Sequence, residues 1–370
     1  MALEKLPIHA VILAGGRGTR FWPRSRSKTP KQLLNIVGKG SMLEQTVARL
    51  RSIVPAERLW SVTNIEQQAS LRKQLPRAAR KRVLVEPLGR NTAAAIALAA
   101  FHIERAAKGD ALMAVLPADH YINDVGGYQK IVRTALDVAR KRGRMVVLGI
   151  PPTHPETGFG YIERMEATIG ADGTPVYPVR RFAEKPTPEK AREYLASGNY
   201  QWNAGMFFWR VSTFLEALEK HLPATHRELK ELSAKIGSKS YGTELLKIYP
   251  QLENISVDYA ILERVTAQAG EAHVYLIPAE VGWSDIGSWA AVYDLGASEA
   301  GANIFTGPGH ALDAHGNFFS SNGKFVAAIG VNNLVIVETA DALLICPRDR
   351  AQDVGKLVKW LEEKKMKELL

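Results

Sequence analysis

Short apolar runs alternate with longer amphipathic stretches through the first 150 residues of the chain. HAVILA (His9 to Ala14) is an unbroken apolar run that stops at two glycines, the pattern of a strand buried on both faces. LWSVT, RVLVE, ALMAVL and MVVLGI, ending at Thr63, Glu86, Leu116 and Ile150, repeat that pattern. Between these runs the period shifts towards 3.6 and predicts helices. Ser41 and Glu44 form an S-x-x-E capping box that opens a helix running to about Ser52. Further helices are expected over Ile65 to Leu75, Thr92 to Ala107 and Tyr128 to Lys141; the alanine-rich one is apolar nearly all round and so is expected to be buried. Such alternation predicts a mostly parallel sheet with helices on both faces.

Past Pro151 the rhythm loosens. FGYIER and YPVRRFAEK read as hairpin strands, WNAGMFFWR as a long aromatic strand whose Phe207, Phe208 and Trp209 belong to the core, and three helices are expected between about Ser212 and Val265. HVYLIP returns to the sheet. From about Asn303 to Cys346, short runs separated by turn residues predict a small all-β unit, either a coil of short strands (a short β-helix) or a compact sandwich. A charged helix closes the chain from Arg350. The expected division is a catalytic domain over residues 1–296 and a β domain over 297–370.

Composition narrows the class. Apolar residues make up 46% and charged residues 23%, as in a soluble globular protein, and no apolar run approaches the ~20 residues of a membrane span. No signal-peptide pattern opens the chain, so the cytoplasm is the expected compartment. The single cysteine, Cys346, excludes an internal disulfide or a CxxC metal site and reads as a small core residue. The net charge of +10 suits an anionic partner, and its distribution is uneven. One cluster, Arg72, Lys73, Arg77, Arg80, Lys81 and Arg82, reads as a solvated helix end and turn. The other is Arg17, Arg20, Arg24, Arg26, Lys28 and Lys31, within LAGGRGTRFWPRSRSKTPKQ (Leu13 to Gln32), which holds no acid.

That stretch follows a predicted strand, where parallel sheets bind ligands. It is neither a Walker loop, whose G-x-x-x-x-G-K-[ST] spacing is not met, nor a dinucleotide fingerprint, since Phe21 stands where the third glycine belongs. It still suits polyphosphate. Gly15, Gly16 and Gly18 allow backbone N–H groups close approach, Arg17 can grip phosphate oxygens with two N–H bonds, and Lys31 can act as a point charge on a leaving group. Asp119 in LPADH and Asp285 in WSDIG each follow a predicted strand; they can converge on one hard divalent cation or cap the helices that follow. Glu86, or backbone carbonyls nearby, can accept from the N1–H and N2–H₂ of a guanine, while Asn91 and Thr92 can either join that site or cap the helix they precede. Asn203 on an apolar strand needs a ligand or backbone partner. Asp258, near a helix start, reads as a cap. His120 is the one histidine expected near the site. The sequence offers no zinc-spaced histidines and no nucleophilic triad.

The stretch resembles the GGxGTRxxPxT/S…PK signature of the sugar-1-phosphate nucleotidylyltransferases, and its FWPRSR…PKQ variant resembles the branch that makes GDP-mannose. EPLGRNTAAAIALAA, LPADH, ETGFGYIE, FAEKP, WNAGMFFW, SVDYAILE and GWSDIGSW match that family in the same order. The resemblance implies a Rossmann-like fold of the nucleotide-diphospho-sugar transferase type. It also implies attack by mannose 1-phosphate on the α-phosphorus of GTP, giving GDP-mannose and pyrophosphate with Mg²⁺ as cofactor. Asp119 and Asp285 correspond to the family's metal ligands. Ala14, Gly15, Gly16, Gly18, Thr19, Glu86, Asn91 and Thr92 fall to the nucleotide, and Gly160, Glu184, Lys185 and Asn203 to the sugar phosphate, with Lys185 gripping its phosphate. Some members carry a further isomerase domain, for which no room is expected after the β unit; that unit is expected to serve packing or a homodimer. The competing readings are another sugar or nucleotide, a non-catalytic nucleotide-sugar binder, and a nucleic-acid module. No nucleic acid or membrane partner is expected, because only Phe21 and Trp22 are interleaved with the basic loop.

Overall fold

The structure is a computed structural model and describes residues 6–169, 173–268 and 271–370. The first half builds β1 (Ile8–Leu13), α1 (Met42–Leu50), β2 (Leu59–Asn64), α2 (Gln68–Gln74), β3 (Val83–Glu86), α3 (Asn91–Ala107), β4 (Leu112–Pro117), the two-residue β5 (Tyr121–Ile122), α4 (Val125–Arg142) and β6 (Met145–Ile150). There follow β7 (Gly160–Arg164), β8 (Thr168–Ile169), β9 (Pro175–Glu184), α5 (Pro188–Ser197), β10 (Tyr200–Arg210), α6 (Val211–His221), α7 (Pro223–Ser233), α8 (Tyr241–Ile248), α9 (Glu263–Thr266) and β11 (Val274–Pro278). The capping box at the head of α1 is complete: the Ser41 hydroxyl accepts from Glu44 N–H, and the Glu44 carboxylate accepts from Ser41 N–H.

Apart from β5, these strands form one mixed sheet in the order β3-β2-β1-β4-β10-β6-β11-β9-β7, with β8 paired to β9 off that path. The run β3-β2-β1-β4 is parallel, so its carboxyl ends, carrying Glu86, the glycines after Leu13, and Ala118–Asp119, lie along one edge. β10 enters antiparallel between β4 and β6, and a bulge between Asn203 and Phe207 turns its middle. Its aromatic run is core: Phe207, Phe208 and Trp209 are buried, and Trp209 stacks on Phe207 and Phe214. The alanine-rich α3 is buried beneath α6 and α7.

The terminal unit starts after β12 (Trp283–Ser284) and α10 (Trp289–Gly296). Its strands are β13 (Ile304–Phe305), β14 (Gly309–Leu312), β15 (Phe318–Ser320), β16 (Val326–Ile329), β17 (Leu334–Glu338) and β18 (Leu343–Pro347), closed by α11 (Val354–Glu363). β13, β15 and β17 stack in parallel, as do β14 and β16, so the unit is a coil of short strands. Asn317 lies inside the coil, donating to Asn303 and the Val331 carbonyl and accepting from Leu334 N–H, which satisfies the turns that a hydrophobic side chain would leave unpaired. Cys346 is half-buried on the antiparallel β18, less enclosed than the sequence suggested.

Candidate active site

The glycine stretch is held as a rigid shelf. Gln32, itself buried, donates from Nε2 to the carbonyls of Ala14 and Gly16; Gln67 Nε2 also donates to Gly16, and the Thr63 hydroxyl to Ala14. The three glycines serve different ends. A Cβ on Gly18, whose φ is +61°, would lie 2.5 Å from Lys31 Cβ; one on Gly15 would lie 3.3 Å from a Glu86 carboxylate oxygen; one on Gly16 would meet nothing within 4 Å. Only Gly16 therefore faces open space, while Gly18 is required by packing against Lys31. Thr19 begins a single 3₁₀ turn, and Phe21 and Trp22 leave the shelf to pack with Trp289 of α10 and with Phe318 and Val358 of the terminal unit. Trp22 donates from Nε1 to the Leu369 carbonyl, and Trp289 donates to the Trp22 carbonyl.

Those anchors change the meaning of the basic cluster. Arg17 pairs with Glu362 of α11, Arg20 bonds Gln352, Arg26 pairs with Asp341, and Arg24 donates to the Asn35 carbonyl. Three of the six, Arg17, Arg20 and Arg26, are thus tied to Glu362, Gln352 and Asp341 of the terminal unit, which lies over the loop. Lys31 is different. It is buried, and its ammonium donates to Asp119 Oδ2 at 3.0 Å and to the Asp285 carbonyl at 2.5 Å.

Asp119 follows β4, and the short antiparallel pair of β12 with β5 draws the Asp285 segment alongside it. Burial raises the Asp119 carboxyl, but the Lys31 ammonium, with His120 beside it, brings the group below its ordinary range. Asp285 is raised by burial, opposed by Lys31 and Arg20 and reinforced by the Asp119 charge, so the two carboxylates feel one another. His120 is held neutral, its pKa lowered to about 4 chiefly by burial, and its Nδ1 accepts from Trp283 Nε1. Two carboxylates beside an ammonium have the oxygen-donor chemistry that suits a hard divalent cation, although among the described residues no group of three or more His, Cys, Asp or Glu is arranged to hold a metal ion.

Glu86 is buried at the end of β3, where Tyr249 donates to its Oε1 at 2.7 Å and its other oxygen lies towards Gly15. Burial raises this carboxyl. Asn91 (φ +61°) turns its side chain back to Thr92 N–H. The Thr92 hydroxyl accepts from Val257 N–H, tying the head of α3 to the distant segment before Asp258 instead of capping the helix.

A second acidic group lies along β7, β9 and β10. A Cβ on Gly160 would lie 2.5 Å from a Glu184 oxygen and 3.2 Å from the Phe182 ring, so the absent side chain makes room for these two neighbours. Glu184 is pushed up to about 7 by burial and by Asp258, with Glu263 adding and Lys185 opposing. Lys185, at φ +46°, is largely exposed with its ammonium 3.7 Å from Glu184. Asn203 finds its partners in Asp258, to which it donates at 2.9 Å, and in Gly205 N–H. Asp258 is raised to about 6 by burial and opens a π-helical turn, Asp258–Leu262. It belongs to this cluster and is more than a cap. Together with Tyr249, Gln32 and Gln67 it was missed as a site residue. SVDYAILE and PKQ carried two of them in plain view, but their partners come from distant strands.

The shelf, the paired aspartates and the acidic pocket share the carboxyl edge of one sheet, the geometry of a nucleotide-transfer enzyme. Residues 9–300 match the family model Nucleotidyl transferase, and residues 310–361 match the MannoseP isomerase/GMP-like beta-helix domain. A mannose-1-phosphate guanylyltransferase of Escherichia coli is 39% identical over 95% of this chain and 74% of its own length. A Klebsiella pneumoniae protein of that name is 39% identical over 97% and 74%. The crystal structure of a mannose-1-phosphate geranyltransferase from Thermus thermophilus superposes with a TM-score of 0.84 at 35% identity, covering 96% of this chain and 100% of that one. The chain belongs to the nucleotidyl transferase family, in its mannose-1-phosphate guanylyltransferase branch. Among the described residues no helix is long and apolar enough to cross a membrane.

Proposed function

We propose that this protein is a cytoplasmic enzyme that transfers GMP from GTP to α-D-mannose 1-phosphate, releasing pyrophosphate and GDP-mannose. The observation that carries this reading is the Lys31–Asp119–Asp285 group beside the glycine shelf. A phosphate oxygen of mannose 1-phosphate attacks the α-phosphorus of GTP, and the bond to the β-phosphate bridging oxygen breaks with its electron pair leaving on pyrophosphate. The nucleophile is already anionic at neutral pH, so no general base is required, and catalysis consists of positioning and charge stabilisation.

Gly16 presents open backbone to the triphosphate. Arg17 exchanges Glu362 for phosphate oxygens, and Lys31 stabilises the departing pyrophosphate. Glu86, fixed by Tyr249, accepts from the N–H edge of guanine, with Asn91 and Thr92 shaping the head of α3 around it. Lys185 takes the sugar phosphate, and Glu184 with the Asn203–Asp258 pair bonds sugar hydroxyls. Asp119 and Asp285 would hold Mg²⁺, which supplies charge neutralisation at the phosphates when bound. Pyrophosphate release from GTP that depends on mannose 1-phosphate and on divalent cation tests the reading, and its absence with both present would sink it.

The terminal coil supports a homodimer. Leu312 and Ile329 lie in register on neighbouring strands and are 52% and 70% exposed, which in isolation leaves apolar surface in water.

A further inference from the structure

A second concave site lies at the opposite border of the sheet, away from the aspartates. β3 is the outermost strand there, and with α3, α8 and the turn before β3 it encloses a groove of about 1040 Å³. Its floor is aromatic and apolar: Trp60, Leu98, His102, Tyr241 and Leu245. Its rim is cationic, with Arg77, Lys81 and Arg82.

The simplest explanation of the basic turn is protection of an edge strand against pairing. That accounts for part of it. Arg72 donates to the carbonyls of Arg80 and Val83, and Arg80 to those of Lys73 and Leu75, so these two arginines close the turn itself. It does not account for the rest. Among the described residues, Arg77, Lys81 and Arg82 form no ion pair, although Glu57 also lines the groove. Arg82 instead lies over the Trp60 ring at 4.5 Å. Trp60 is held by a 3.0 Å bond from its Nε1 to His9, and His102 by a 2.6 Å bond with Tyr241, so the floor is fixed before any ligand arrives. The field is positive: His9 is lowered to about 4 by burial and then by Arg58 and Arg82.

Three unpaired cations above a fixed aromatic floor suit a ligand with two halves, one polyanionic and one planar. A guanidinium stacked on an indole is also a surface on which a planar base can lie. We propose that this groove is a second, non-catalytic nucleotide site, taking a purine nucleoside polyphosphate either free or joined to a sugar. It lies at the back of the candidate base pocket. β3, whose Val83, Leu84 and Val85 line the groove, ends at the next residue in Glu86, and α8 leads directly to Tyr249, which bonds Glu86. Occupancy of the groove therefore bears on the two elements that set the position of Glu86.

Calorimetric titration of the full chain with GDP-mannose, GTP and inorganic pyrophosphate tests the proposal, comparing the wild type with Arg77→Ala/Lys81→Ala. Both replaced side chains are exposed and lie outside the candidate active site, so kcat and KM at low substrate should stay within about twofold. Expected are two sites per chain for GDP-mannose, for GTP or for both, one of them weakened at least tenfold in the variant. The arm that titrates the second site tells whether the bound nucleotide carries a sugar. Equal stoichiometry and affinity in the two proteins would overturn the proposal. So would pyrophosphate binding the groove as tightly as either nucleotide, because the aromatic floor would then contribute nothing. Light scattering provides the last arm: wild-type dimers that fall to monomers in the variant, with no second site, would show the groove to be a contact between copies. Failure of the candidate active site would instead remove the other site and leave this one.

Discussion

At the scale of single residues, the account rests on a few buried charges. Asp119 and Asp285 sit on either side of Lys31, one bonding it by its carboxylate and the other by its carbonyl. Asp285→Asn should lower turnover by about 10²-fold or more while leaving the fold intact. Paramagnetic resonance of added Mn²⁺ should show weakened binding in the same variant, and unchanged Mn²⁺ affinity would contradict the ligand assignment. Glu86→Gln should lose about tenfold or more of the preference for GTP over ATP in kcat/KM, because the carboxylate proposed to accept the guanine N–H edge would become an amide with one acceptor oxygen. Glu184 gives a pH signature. Its folded pKa of about 7 lies above the ordinary 4.5, so the native state binds more protons than the unfolded one between those values. Stability from this group is complete below about pH 4.5 and is lost as pH rises through 7. Urea unfolding across that interval should show a decline of at most about 3 kcal/mol from this group, and the decline should be flatter in Glu184→Gln.

At the scale of elements, the glycine shelf is a joint between two parts of the molecule. Phe21 and Trp22 serve as its pegs in the terminal core, and Arg17, Arg20 and Arg26 are its outer ties. Trp22→Ala should cost roughly 3–5 kcal/mol and lower the melting temperature; it should also raise KM for GTP, since the shelf is positioned from that side. Glu362→Ala acts the other way. The pair is part-exposed and so worth little, and freeing Arg17 should lower KM for GTP by up to about fivefold with kcat unchanged, as steady-state kinetics would report. These ties explain what the sequence did and did not reveal. Strands β1 to β4 and β6, the capping box and the buried α3 are local patterns, written in periodicity and spacing, and were legible. The partners of Arg17, Asn203, Thr92 and Glu86 are Glu362, Asp258, Val257 and Tyr249, each at least 55 positions away in the chain. No spacing rule encodes such contacts, so residues read as ligand contacts or caps proved to have protein partners.

For the whole molecule, the sheet and the coil divide the work. The parallel strands align the glycine shelf, Glu86 and Asp119 on one edge, and the bulged antiparallel β10 carries Asn203 to the neighbouring pocket. The alternation of strands and helices made the first half predictable; the insertion of β10 between β4 and β6 was not, because an aromatic run marks a core strand without marking its neighbours. The coil packs on the loop and keeps Leu312 and Ile329 outward. Multi-angle light scattering should find a dimer that Leu312→Lys/Ile329→Lys converts to monomer, and a wild-type monomer at micromolar concentration would remove the dimer from the account.

The central claim is guanylyl transfer to mannose 1-phosphate, and its most direct measurement is a matrix of initial rates. Four nucleoside triphosphates would be paired with mannose, glucose, galactose and N-acetylglucosamine 1-phosphates in the presence of Mg²⁺, with the nucleotide sugar and pyrophosphate both quantified. The account predicts the highest kcat/KM for GTP with mannose 1-phosphate, one pyrophosphate per GDP-mannose, and loss of that rate in Asp285→Asn. A maximum at another pairing, or no transfer in any of them, would contradict it.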